Sequence, residues 1–183
     1  MSRIPAPATI EAAPNGSHSL LQAVKKQLGV APNLFRLVAT SPAALEGYLG
    51  MSSALSKGAL PAATRERIAL AVAEINSCQY CLSAHTYLGR NLAHLDDAEM
   101  AANRRGRSTD AKANAAVRFA SSVAQLRGHV LAEDFAAVKD AGYSDAQVIE
   151  IVQHVALNVW TNYINTVAQT EIDFPVVELR VAA

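Results

Sequence analysis

An all-α fold of about eight helices is the architecture this sequence predicts, and three observations predict it. Apolar residues recur at three- and four-residue spacing along most of the chain, the stretches between them pair a helix stop with a helix start, and no competing strand pattern interrupts them. The composition agrees: 51% of the 183 residues are hydrophobic, 17% are charged and 5% aromatic, with alanine throughout, which suits close packing of helix on helix. A chain of this length can bury one real core, so residues 1–183 are read as a single domain, with residues 1–16 an extended leader and 171–183 a C-terminal tail. No internal repeat at a fixed period stands out.

The elements follow in order. SLLQAVKKQLG places Leu20, Leu21, Val24 and Leu28 on one helix face and stops at Gly29, a natural C-terminal cap. APNLFRLVATSP supports a short helix at most. Ser41 and Pro42 form an N-cap and first-turn pair for PAALEGYLGMSSALSKG, which stops at Gly58. Pro61 opens a helix to about Asn76, and another runs from about Cys78 to Asn91. DDAE, Asp96 to Glu99, carries a capping-box pattern for a short helix ending near Gly106. Ser108 starts a long helix to about Arg127, and LAEDFAAVKDAG gives one closed by Gly142. SDAQ, from Ser144, caps the last long helix through Gln169, and Pro175 takes the tail out of helical geometry near Asp173.

The formal net charge is zero and no run of Lys or Arg exceeds a couple of residues, so the sequence shows no electrostatic footprint for nucleic acid or anionic lipid. MSRIPAPATIEAAPNG has no apolar signal core, and no stretch approaches the ~18 uninterrupted apolar residues of a membrane span. The expectation is a cytoplasmic protein with no nucleic-acid and no membrane partner.

The chain's two cysteines, Cys78 and Cys81, lie in RERIALAVAEINSCQYCLSAH. In a reducing compartment a pair at this spacing is redox-active or metal-binding before it is structural, since the loop it closes is too short to stabilise much. Cys78, Cys81 and His85 stand three, four and seven residues apart and share one helix face. Cys78 also falls at the helix start, where unpaired N–H groups and the positive end of the macrodipole favour a thiolate. Glu66 cannot join them along one continuous helix, because twelve residues span ~18 Å. A reversal near Asn76 and Ser77 would instead make an antiparallel hairpin, with Glu66, ten residues before Asn76, level with His85, nine after it. The chemistry this suggests is a relay: Glu66 orients or deprotonates His85, and His85 takes the proton of the Cys81 thiol.

Other readings of the same residues stay open. A zinc site would draw on Cys78, Cys81, His85 and Glu66, but no second CxxC or HxxxH supports it. Buried inert thiols, and an Arg65-Glu66-Arg67 triplet forming a solvated charged face, are the plainer possibilities. His154 and Asn158, four apart on the last helix near Trp160 and Tyr163, read as core or subunit-interface polar groups that could also line the pocket. His18, His94 and His129 read as surface residues.

The pattern E-x11-C-x2-C-x3-H, carried by Glu66, Cys78, Cys81 and His85, resembles the signature of the AhpD-like alkylhydroperoxidases within the carboxymuconolactone decarboxylase superfamily. GVAPNLFRLVATSP, LPAATRERIALAVAEINSCQYCLSAH and NYINTVAQTEIDFP extend the resemblance, over most of residues 29–175, to its uncharacterised peroxidase-related branch. The resemblance implies an all-helical fold with the CxxC at the start of a central helix, assembled into homo-oligomers, trimers or hexamers. It also implies a peroxidase that uses no metal, haem or other cofactor. The substrate would be a small-molecule hydroperoxide, with Cys81 oxidised to a sulfenic acid and Cys78 resolving it to a disulfide. An external dithiol or thioredoxin-like protein would reduce the pair, and Glu66 and His85 match the family's proton-relay positions. One departure is Tyr80, where the well-studied members carry a histidine; tyrosine is no easy base near neutral pH, so a shorter relay is expected here. Two other classes of function use the same fold or thiols: lactone decarboxylation, which has no chemical need for a thiol pair, and a disulfide carrier or sensor that never meets peroxide.

Overall fold

The computed structural model describes residues 2–180. Among these residues are nine helices and no strand: α1 (Asn15–Leu28), α2 (Asn33–Val38), α3 (Pro42–Ser56), α4 (Ala62–Ile75), α5 (Gln79–Asn91), α6 (Asp97–Asn103), α7 (Ala111–Gln125), α8 (Ala132–Asp140) and α9 (Asp145–Ala168). Eight match the longer expected helices and the capped α6, and the ninth is the six-residue α2. Pro32 gives α2 no side-chain cap. Its first N–H groups are met from far away instead: Asn33 N donates to Asp173 Oδ2 (2.7 Å) and Leu34 N to the Tyr80 hydroxyl (3.1 Å).

α4 is the axis of the molecule. Its stretch from Ile68 to Ala73 is wholly buried, because Ala69, Ala71 and Ala73 alternate with larger residues and let neighbours close in on every side. It packs against α5, α6, α7 and α9. One core, with Leu21, Leu45, Leu70 and Leu82, also holds both cysteines. A second, built on Ile68, Val72, Phe119 and Ile151, fills the far side of α4.

The reversal between α4 and α5 is the detail that positions the site. Ser77 takes a left-handed backbone (φ 53°), Ser77 N bonds to Glu74 O (3.1 Å) and Cys78 N to Ala73 O (3.0 Å). This is a Schellman ending, which satisfies the last carbonyls of α4. The residue that completes it, Cys78, is also the N-cap of α5, its sulfur accepting Cys81 N–H (3.3 Å). One residue closing one helix and opening the next leaves no slack, so α4 and α5 form the expected tight hairpin.

Several boundaries differ from expectation for physical reasons. α1 begins at Asn15, and Leu28 in its last turn is 38% exposed, beyond the reach of the core that buries Leu21 and Val24. Asp96 caps α6 through Glu99 N, but the Glu99 side chain turns inward and does not complete the box. α7 starts at Ala111 under an Asp110 cap, because the Ser108 hydroxyl is drawn to Glu99. α9, by contrast, ends at Ala168 with Gln169 as its left-handed cap (φ 52°), within a residue of the expected end. There the leader ties on: Ser2 Oγ (2.7 Å) and Arg3 N (2.6 Å) both donate to Ala168 O. At the N-cap of α9 the Ser144–Gln147 box forms as expected. A Cβ at Gly58 would lie 2.6 Å from the Glu150 carboxylate that accepts Ala59 N and Leu60 N, so a larger residue there would make that carboxylate swing aside and give up those bonds. No helix among the described residues is long and apolar enough to cross a membrane.

Candidate active site

Cys78 and Cys81 are joined as a disulfide with their Cα atoms 5.3 Å apart, a separation that the N-cap and first turn of α5 set and a disulfide accepts. Both are buried, at 2% and 3% exposure. One turn along α5, His85 Nδ1 lies 2.9 Å from Glu66 Oε2 on α4. With the carboxylate ionised, Nδ1 carries the hydrogen and Nε2 is left as the proton acceptor. The two side chains are 21% and 22% exposed, so this pair touches solvent while the cysteines are buried.

The triplet around Glu66 is not a solvated face. Arg65 donates to Leu55 O (3.0 Å), Arg67 pairs with buried Glu99 (2.6 Å), and Glu66 is left to His85. Three successive residues on a crowded helix point at three different neighbours. The hairpin sets Glu66 against His85 and joins Cys78 to Cys81, with His85 one turn of α5 beyond Cys81; among the described residues no hydrogen bond links the two pairs.

Tyr80 faces elsewhere. Its hydroxyl donates to Asp173 Oδ1 (2.9 Å) and accepts Leu34 N–H, and its ring meets Phe174 edge-on at 5.8 Å. Burial, together with the Asp173 carboxylate, pushes its pKa far above the ordinary phenol value. It anchors residues 171–180, which run over the start of α5 as a strap; the end of the expected 171–183 tail lies outside the described residues. Val177 N donates to Ser83 Oγ (3.0 Å), Gln79 Nε2 donates to Glu178 (2.9 Å), and Ile172, Phe174, Val177 and Leu179 pack on the core that holds the cysteines.

Two residues on α9 reach this region that no motif in the sequence marks. Asn165 Nδ2 donates to the Cys81 sulfur (3.3 Å), and Asn162 Oδ1 accepts Asn76 Nδ2 (2.9 Å) at the hairpin turn. His154 and Asn158 head the same buried polar face, but Asn158 turns back to His154 O (2.8 Å) and belongs to the core. The signal was the periodicity: continuing the polar face by three- and four-residue steps from His154 and Asn158 reaches Asn162 and Asn165. Burial, then the nearby Arg65 guanidinium, lowers the His154 imidazole to about 4, so it is neutral near pH 7. Of the remaining histidines, His94 and His129 are exposed, whereas His18 is half-buried against Ala13 O (2.8 Å). On the Glu66 side, Tyr48 stacks on Trp160 (5.2 Å) and meets Phe35 (5.7 Å), and burial followed by the Glu66 carboxylate pushes the Tyr48 hydroxyl up to about 12. Among the described residues no three His, Cys, Asp or Glu side chains are grouped to hold a metal ion.

Comparison with known proteins places this geometry. Residues 42–126, which contain the whole hairpin, match the carboxymuconolactone decarboxylase family. An alkylhydroperoxidase AhpD core structure, an uncharacterised peroxidase-related protein from Ralstonia eutropha JMP134, superposes with a TM-score of 0.83 at 25% identity, covering 94% of this chain and 92% of that one. An uncharacterised peroxidase-related protein from Silicibacter sp. TM1040 gives 0.78 at 22% identity over 91% of each chain. A variant of the debrominase Bmp8 bound to 2,3,4-tribromopyrrole gives 0.77 at 20% identity, covering 92% of this chain and 90% of that one. No curated protein sequence matches the chain significantly.

Proposed function

For a chain that belongs to the carboxymuconolactone decarboxylase superfamily, with the fold of its AhpD-like, peroxidase-related members, we propose a thiol-dependent peroxidase acting on small hydroperoxides. The observation that carries this reading is a disulfide-forming pair one helical turn from a carboxylate-bound histidine.

The cycle starts from the reduced pair. His85 Nε2 takes the Cys81 proton, the thiolate attacks the distal peroxide oxygen, and the O–O bond breaks to leave Cys81 sulfenic acid. The proton held on His85 goes to the departing alkoxide, giving an alcohol, or water when the substrate is hydrogen peroxide. The Cys78 thiol then displaces hydroxide from the sulfenic acid, and with its proton this leaves as water and forms the disulfide. An external dithiol, small or thioredoxin-like, returns two electrons and two protons. Glu66 holds the imidazole in the tautomer this needs. Asn165 supports Cys81 as the attacking sulfur, because its amide donates to Cys81 and would stabilise a thiolate there.

The burial of both sulfurs weighs against a carrier that exchanges with large protein disulfides and for a small oxidant entering beside His85. A decarboxylase gains nothing from the pair. The reading takes the chain as one working domain in a reducing, cytoplasmic setting. It also takes the protein as a homo-oligomer, a trimer or hexamer, supported by an exposed apolar stripe on α9 formed by Ile149, Val152, Trp160, Tyr163 and Val167. The test is hydroperoxide consumption with a supplied dithiol. Turnover lost in Cys78→Ser and in Cys81→Ser, and reduced about 100-fold or more in His85→Ala, is expected. A wild-type protein that cycles its disulfide without consuming peroxide contradicts the reading.

A further inference from the structure

On the face where the strap ends, a cavity of about 360 Å³ opens between the end of α4, the turn from α6 to α7, the flank of α7 and the strap itself. Its lining includes Arg104, Arg105, Arg107, Arg118 and Arg180 and, among the described residues, a single carboxylate, Glu74. The whole chain has 16 Lys and Arg balanced by 16 Asp and Glu, so nearly a third of its fixed positive charge converges on one concavity. The sequence spreads these arginines over about 75 positions, which is why no electrostatic footprint is visible there.

The arginines fall into two groups. Glu74 is consumed by Arg104 Nε (2.6 Å) and Arg180 N (2.7 Å), while Arg104 Nη2 donates to Glu178 O and Arg180 Nη1 to Arg104 O. These form a fixed wall. Arg105, Arg107 and Arg118 make no side-chain hydrogen bond or ion pair among the described residues, yet they line the same cavity. Gly106, left-handed at φ 69°, sits between the first two, and a Cβ there would come within 2.9 Å of Ser121 Oγ on α7. Only glycine lets the turn close onto α7 and bring its guanidinium groups beside Arg118.

We propose that this cavity binds a small phosphate-bearing polyanion. Guanidinium forks match phosphate oxygens two at a time, and a concave site lined by one sign of charge concentrates the field on an anion. The volume holds more than one phosphate group. Among the described residues the lining has no aromatic ring, which favours a polyphosphate or sugar phosphate over a nucleotide that needs a stacking surface. Ser122 and Gln125 add neutral donors to the lining. The site is separate from the Glu66–His85 pair, and the inference does not depend on peroxide chemistry.

The test is calorimetric titration of the full chain with inorganic pyrophosphate, and with citrate as a carboxylate of comparable charge. Saturable pyrophosphate binding that weakens with added salt is expected, with affinity falling about tenfold or more in Arg118→Gln and in Arg105→Gln. Arg90→Gln, which removes an exposed pair with Asp97 outside the cavity lining, should leave it unchanged. Circular dichroism of each variant establishes that the fold is kept. No saturable pyrophosphate binding, binding indifferent to Arg105 and Arg118, or citrate bound as tightly as pyrophosphate would each overturn the proposal.

Discussion

Asn165 stands a long way along the chain from the cysteines, yet its amide is the side-chain donor on the Cys81 sulfur. A hydrogen bond to a charged acceptor is worth about 1.5–3 kcal/mol, and about 1.4 kcal/mol corresponds to one pKa unit. Replacing Asn165 with alanine should therefore raise the Cys81 thiol pKa in the reduced protein by about one to two units. Titration of thiolate absorbance in Asn165→Ala against the parent measures it, and an unchanged curve would remove Asn165 from the site. Ser77 shows a second kind of residue-level cost. Its left-handed backbone disfavours any side chain, and the hairpin keeps it because the Schellman ending places Cys78 at the N-cap of α5.

At the scale of elements, α4 and α6 are joined through buried Glu99. Burial raises that carboxyl's pKa, but hydrogen bonds from Ser108, Thr109 and Asn103 outweigh it and hold the group at about 2, below its ordinary 4.5. The folded state thus prefers the ionised form. The stability this gives is complete above about pH 4.5 and is lost as pH falls toward 2, amounting to about 3 kcal/mol across that window. Urea unfolding of Glu99→Gln should lie well below the parent at pH 7 and approach it near pH 3. An equal gap at both pH values would mean the carboxylate's charge is not what matters.

The same scale separates what was legible in the sequence from what was not. Glu66 and His85 could be paired in advance because both helices run unbroken from one identifiable turn, so counting residues fixes their level. Glu99 read as half of a capping box, since local spacing cannot show that Ser108 and Thr109 return to it from the next turn. Asn165, the strap and the arginine cavity depend on where α9 and the tail lie against α5 and α7, which periodicity does not encode.

Across the whole molecule, α9 shows how one helix serves three surroundings. Its buried polar face carries His154, Asn162 and Asn165, its buried apolar face carries Val148, Ile151 and Val155, and the exposed stripe from Ile149 to Val167 spans an arc of about 80° at 100° per residue. We assign that stripe to contact between copies of the chain. Ile149→Glu with Val167→Glu should shift the sedimentation coefficient from an oligomer to a monomer while the helical circular dichroism stays intact. A parent protein that sediments as a monomer would contradict the assignment. Because Trp160 on this stripe stacks on Tyr48 beside Glu66, dissociation should also lower peroxidase turnover.

The assignment of Cys81 as the sulfur that meets peroxide is central. The direct measurement is to mix reduced Cys78→Ser and Cys81→Ser proteins separately with one equivalent of hydroperoxide, trap sulfenic acid with a carbon nucleophile, and locate the adduct by mass spectrometry. An adduct at Cys81 in the first variant and none in the second is expected. An adduct at Cys78 in the second, with Cys81 unmodified in the first, would reverse the two roles and leave the Asn165 and His85 contacts without their assigned purpose.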